Sequence, residues 1–160
     1  MVLSFMRQRL EDFCRDNPGA RKIARALSAA AAVRLRVLPD TDVAFRKADE
    51  VFVLTDAATC GAVEYDMEVM LPAAMLEDFL AADPQTADAI ILFFAENYYQ
   101  EKYRDHIDLR ILSGVFRLTM KGYLGLIPLG GPALMSILRS KGFGSIGSIT
   151  AALKGIGKKG

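Results

Sequence analysis

The period of the apolar positions changes repeatedly along this chain, and each change marks an element. Leu3, Met6, Leu10, Phe13 and Cys14 recur at helical spacing until Asn17, Pro18 and Gly19 stop the pattern. A second helix is predicted from near Ala20 through Ile23, Ala26 and Leu27 into the alanines 29–32, whose small side chains permit close packing. From Val33 the pattern alternates. Val33, Leu35 and Val37 stand against Arg34 and Arg36, Pro39 and Asp40 make a turn, and Val43, Phe45 and the run Val51 to Thr55 continue as strands. The clearest alternation follows, with Val63, Tyr65, Met67, Val69 and Leu71 on one face and Glu64, Asp66 and Glu68 on the other.

Pro72 ends that strand and suits the first position of a helix, Ala73 to Ala82, with Leu76, Phe79 and Leu80 turned inward. After Asp83 and Pro84 a longer helix is predicted, carrying Ile90, Ile91, Phe94 and Tyr98 on one side. Alternation returns near His106. Ile107, Leu109 and Ile111 predict one strand, Ser113 and Gly114 a turn, and Phe116, Leu118 and Met120, alternating with Arg117, Thr119 and Lys121, predict the next. From Gly122 to Leu138 there is no charged residue, yet Gly125, Pro128, Gly130, Gly131 and Pro132 interrupt the segment. A membrane span needs about twenty uninterrupted apolar residues, so this surface has to be covered by protein, by a ligand or by the face of a bilayer. A short helix from Ala133 to Lys141 is predicted next. The tail then spaces Ile146, Ile149, Leu153 and Ile156 at helical intervals, with Lys154, Lys158 and Lys159 beside them, a pattern suited to lying in a membrane interface.

Composition narrows the classes. At 160 residues and 52% hydrophobic, the chain suits one domain with a core that needs neither disulfides nor metal. Cys14 and Cys60 lie far apart without zinc-ligand spacing and read as buried thiols. The first residues lack the apolar core of a secretory signal, so a cytoplasmic location is expected, with peripheral contact at the inner face of the membrane. Charge is segregated: residues 1–39 carry eight Lys/Arg against three Asp/Glu, residues 40–108 four against sixteen, and residues 109–160 eight against none. An acid-free basic third of the chain points to an anionic surface.

Catalytic signals are weak. His106 stands beside Asp105 and Asp108 without a paired nucleophile motif. Glu64, Asp66 and Glu68 project from one strand face at about 7 Å spacing, a row expected to be solvated. Gly142, Gly144 and Gly147 match G-x-G-x-x-G, but the strand, the crossover unit and the later acidic residue of a dinucleotide site are missing. No enzyme activity, metal or cofactor is expected. Nucleic acid is not an expected partner either, because aromatic residues are not interleaved with the basic ones.

The order of elements carries a resemblance. EYDMEVMLPAAMLEDFLAAD runs a strand into a short helix, DPQTA follows at residues 83–87, and SGVFRLTMKGYLGLIPL begins at Ser113. Over residues 33–138 this resembles the sterol carrier protein 2 family. The resemblance implies an α+β fold, a mixed or antiparallel sheet of about five strands covered on one side by helices. N-terminal helices over residues 1–32 would pack on a lipid-binding core over 33–141, with a basic amphipathic tail over 142–160. It also implies an apolar tunnel, lined by Met67, Val69, Leu71, Leu76, Phe79, Leu80, Phe116, Leu118 and Met120 and closed by Leu124, Leu126 and Ile127. Ile90, Ile91, Phe94 and Leu134 would complete the lining. The chain departs from the family by inserting a long helix, Ile90 to Tyr103, which either enlarges the pocket or fills it.

The function expected on these grounds is non-catalytic binding or transfer of an apolar lipid (sterol, hopanoid, quinone or acyl lipid). Ile146, Ile149, Leu153, Lys154, Ile156, Lys158 and Lys159 would contact an anionic membrane surface. The alternative is an accessory interaction protein of a membrane-associated complex, with a protein partner and no ligand cavity.

Overall fold

The computed structural model describes residues 2–38, 41–57, 64–98 and 108–142. Helix α1, Val2–Asp16, buries Met6, Leu10 and Cys14, one residue per turn on one stripe. Asn17 both ends α1 and caps the next helix. Its side chain accepts a hydrogen bond from the Ala20 N–H at 3.0 Å, and Pro18 takes the first helical position, where no N–H is needed. Helix α2 therefore starts at Pro18, two residues before the sequence pattern predicts, and stops at Ala26. The alanines after it belong to a turn and to the next strand. Gly19 lets α2 cross the next long helix at backbone contact, since a Cβ there would lie 2.5 Å from the Thr86 carbonyl carbon.

Strands β1 (Ala32–Leu38), β2 (Thr41–Ala48) and β3 (Val51–Asp56) form an antiparallel meander. β4 (Met67–Pro72) then lies parallel to β1 on its far side. A parallel neighbour requires the chain to cross over between β3 and β4. Helix α3, Ala73–Ala82, leaves β4 directly, with Pro72 as its N-cap rather than its first residue, and Asp83 closes it in the left-handed conformation at φ 45°. Helix α4, Ala87–Tyr98, follows, and β5, Asp108–Ile111, returns antiparallel to β4. The result is an α+β fold with a mixed five-stranded sheet in the order β3-β2-β1-β4-β5.

The sequence reading needs correction at two places in the sheet. The strand predicted from Val63 begins only at Met67, because Asp66 bends the chain before it. The strand predicted for Phe116, Leu118 and Met120 is a helix, α5 (Val115–Met120), followed by a 3-10 turn at Tyr123–Gly125, α6 (Leu126–Leu129) and α7 (Gly131–Ser140). Pairing with β4 ends at Ile111, and the next two amides, Leu112 and Ser113, donate to the Asp66 carbonyl instead. Gly114 then starts α5, its carbonyl accepting from the Leu118 N–H at 3.1 Å.

One face of the sheet carries the core. Leu35, Val37, Val43, Leu54 and Leu71 pack with Met6, Leu10 and Cys14 of α1, Met75, Leu76, Phe79 and Leu80 of α3, and Ile90 of α4. At the other end a smaller cluster joins Leu27, Ala31, Leu118 and Tyr123, with Val33, Met67 and Ile111 packed against it. The opposite sheet face is ionic, with Arg34 paired to Asp42 and Glu68, and Arg36 also paired to Glu68. Among the described residues no helix is long and apolar enough to cross a membrane.

Candidate functional site

The tunnel residues expected from the sequence divide into two sets. Leu71, Leu76, Phe79, Leu80 and Ile90 meet in the main core, with Val69 and Phe94 packed against it. Their centre is Phe79, whose ring lies 4.9 Å from Phe13, 5.3 Å from Phe93 and 4.8 Å from Phe94. Such edge and tilted aromatic contacts contribute about 0.5–1.5 kcal/mol each beyond area burial. The described part of the inserted helix thus fills the space beside α3. Met67, Leu118 and Leu126 belong to the second cluster instead. Leu134 is buried, while Ile91, Leu124 and Ile127 are half-buried. Phe116 and Met120 point outward, 77% and 68% exposed. A strand would have put them on one face with Leu118. In a helix they sit four residues apart on one face, and Leu118, 1% exposed, falls on the other.

Two pockets lined by described residues do not match an elongated lipid. A void of about 10 Å³ lies between α1 and the sheet, lined by Met6, Leu10, Val37, Val43, Leu54 and Leu76 with Arg7 and Thr41 at its edge. That is about the space of one water. A larger open groove, about 330 Å³, runs between the end of α1 and the α3–α4 loop, but Arg9, Asp12, Asp16, Asn17, Asp83 and Gln85 make most of its wall. Neither pocket combines the volume with the apolar lining that a lipid chain needs.

The densest polar chemistry gathers on Asp66, which the alternation places in a solvated acidic row and the structure leaves 0% exposed. One carboxylate oxygen accepts from Lys121 Nζ at 2.6 Å and from Ser113 Oγ at 3.0 Å. The other accepts from Tyr123 OH at 2.8 Å and from the Ala32 N–H at 2.9 Å. Its own backbone bonds Ala32 on one side and Leu112 and Ser113 on the other. Burial pushes the carboxyl upward in pKa, but the bonds from Lys121, Ala32, Tyr123 and Ser113 outweigh it and hold the group below the usual carboxylate range. Burial first, and the bond to Asp66 second, push the Tyr123 phenol well above its ordinary value. Every donor aims at one carboxylate closed to solvent, so the cluster fastens the chain and presents no free reacting atom. It ties the start of β1, the entry to β4, the end of β5 and the turn after α5 at a single point.

The rest of the acidic row is also engaged. Glu68 lies under Arg34 and Arg36, and Glu64 pairs with Arg117 at 2.7 Å. Nothing in the local pattern distinguishes Asp66 from Glu64 and Glu68; its partners Ser113, Lys121 and Tyr123 lie far along the chain. His106, Cys60 and the expected membrane contacts Ile146, Ile149, Leu153, Lys154, Ile156, Lys158 and Lys159 lie outside the described residues. Among the described residues no cluster of His, Cys, Asp or Glu has the makings of a metal site. Cys14 is buried against α3 and the sheet, and burial, assisted by the charge of Glu11, pushes its thiol up to about 12.

Comparison with protein-family models, with curated proteins and with solved structures returns no match.

One surface remains. Of the six large apolar side chains exposed among the described residues, Leu109, Leu112, Phe116 and Met120 fall within β5, α5 and the turn between them. The other two, Phe5 and Val53, lie on α1 and β3. Four of the six thus fall within one short stretch of the chain, residues 109–120.

Proposed function

We propose that this chain is a non-catalytic interaction protein that works through the apolar surface of β5 and α5. The supporting observation is the contrast between interior and exterior: the core leaves a void of about 10 Å³, while Leu109, Leu112, Phe116 and Met120 stand in solvent. Burying a Phe or Met side chain contributes about 1.5–3 kcal/mol, so a partner covering this stretch gains more than the rest of the described surface offers. A photo-crosslinker at position 116 of the full chain, expressed in its native cells, tests the reading. It is expected to give a discrete adduct, with protein or with lipid, that the same group at position 53 does not give. Equal labelling from both positions removes the reading.

A lipid carrier is the second reading. It is supported by the architecture, since a mixed sheet with helices packed over one face is what the family resemblance leads one to expect. In that case the Phe13, Phe79, Phe93 and Phe94 cluster opens to admit the chain of the ligand. Mass spectrometry of an organic extract from the purified protein is expected to show a stoichiometric lipid. A protein that stays empty across a broad lipid panel is not a carrier.

A further inference from the structure

We infer that α5, α6 and α7, residues 115–140, form a strap that opens as one unit from a core complete without it, with the Asp66 carboxylate as its latch. This motion belongs to the chain itself and does not depend on what occupies the β5–α5 surface. Among the described residues the main core is drawn wholly from residues 6–94, and no side chain of the strap enters it. The strap packs instead on the smaller cluster, through Leu118 and Tyr123 with Leu126 against them. Its burial is thin. Leu118, Tyr123 and Leu134 are its buried apolar side chains, and α6 buries none. Segments with few buried apolar contacts are the ones that open below the free energy of global unfolding.

The latch is local. Lys121 Nζ and Tyr123 OH donate to Asp66 at 2.6 and 2.8 Å, and the Ser28 N–H donates to the Lys121 carbonyl at 2.9 Å. Between them Gly122, at φ 89°, sits so close to α2 that a Cβ would lie 2.3 Å from the Ala26 carbonyl oxygen. Three consecutive residues thus seat the strap at one point. A buried carboxylate and its donors part together, because a half-made network strands a charge away from water. What the strap covers gives the motion a consequence. Ile90 of α4 is buried in the main core and Phe93 and Phe94 pack against that core, while Leu92, about 200° around the helix from Ile90, is half-buried. A helix apolar on opposite sides needs cover on both. α7 packs along α4, and α6 packs against α2 and α4. Opening therefore uncovers a flank of the helix whose Phe93 and Phe94 surround Phe79.

Native-state hydrogen exchange of the full chain, read peptide by peptide by mass spectrometry, tests this. Amides of α5 and α7 are expected to share a protection at least about tenfold below that of β1, β4 and α3. Leu118→Ala, within α5, is expected to lower protection in α5 and α7 together by at least about tenfold. Phe79→Leu weakens the main core in the open and closed forms alike. It is therefore expected to lower protection in β1 and α3 and to leave α5 and α7 unchanged. The strap is ruled out if α5 and α7 of the native chain exchange no faster than β1 and α3, since the chain is then one cooperative unit. It is ruled out equally if Phe79→Leu lowers protection in α5 and α7 by the same factor as in the core. A Leu118→Ala variant that exchanges faster in α5 and unchanged in α7 also overturns it, because the helices then open separately.

Discussion

Asp66 offers the sharpest test of how this fold is held. Asp66→Asn keeps the shape of the side chain and removes its charge. The Lys121 ammonium, 13% exposed, then loses the carboxylate 2.6 Å away, and the amide can accept at only one of the two positions where the carboxylate accepts four bonds. Removing one partner of a buried pair typically costs about 3–5 kcal/mol. Lys121 retains some access to water, which places the expected loss near the lower end, about 3 kcal/mol. Lys121→Met leaves the carboxylate with three neutral donors and is expected to cost about 2 kcal/mol. Combined, the two substitutions remove both charges, so the double variant is expected to lose less than the sum by about 1–2 kcal/mol. Urea unfolding followed by circular dichroism reads these as shifts in midpoint at constant slope.

Acid adds an independent readout. The folded-state pKa of Asp66 lies below its unfolded value of about 3.9. Its contribution is therefore complete above that value and is lost as pH falls through the folded pKa. The stability gap between the native chain and Asp66→Asn is expected to be constant near neutrality and to narrow below about pH 4. A cost under about 1 kcal/mol, a strictly additive cycle or a gap independent of acid would refute the fastening role.

Three further outcomes follow from the packing. Gly122→Ala places a Cβ 2.3 Å from the Ala26 carbonyl oxygen at φ +89°, so it is expected to destabilise by more than the usual ~1 kcal/mol of a left-handed non-glycine residue, measured by thermal melting. Phe79→Ala removes the ring shared by Phe13, Phe93 and Phe94 and is expected to cost about 3–5 kcal/mol in urea unfolding; a small effect would mean that the aromatic cluster is loosely packed. In a Cys60→Ser background, Cys14 is expected to resist thiol reagents at pH 8 in the native state and to react once urea unfolds the chain, because its thiol is buried and pushed up to about 12. Rapid native labelling would place Cys14 at the surface.

Local sequence alone determined those features that depend on one element's own two faces. The helical stripe Met6, Leu10 and Cys14, the alternation through β1 and β4 and the apolar α3 were legible because burial on one side leaves a period in the residues. The acid-free segment from Leu109 was equally plain. Tertiary structure decided whatever depended on a partner far along the chain. Val115–Met120 is short enough to satisfy either period, and it became a helix because Leu112 and Ser113 turn from the ladder to the Asp66 carbonyl. That change sent Phe116 and Met120 to solvent and converted expected tunnel walls into an exposed surface. Asp66 looked like Glu64 and Glu68 because its fate depended on Ala32, Ser113, Lys121 and Tyr123, none of which lies within a local window. A period records that a face is covered or bare; only the assembled chain decides what lies against it.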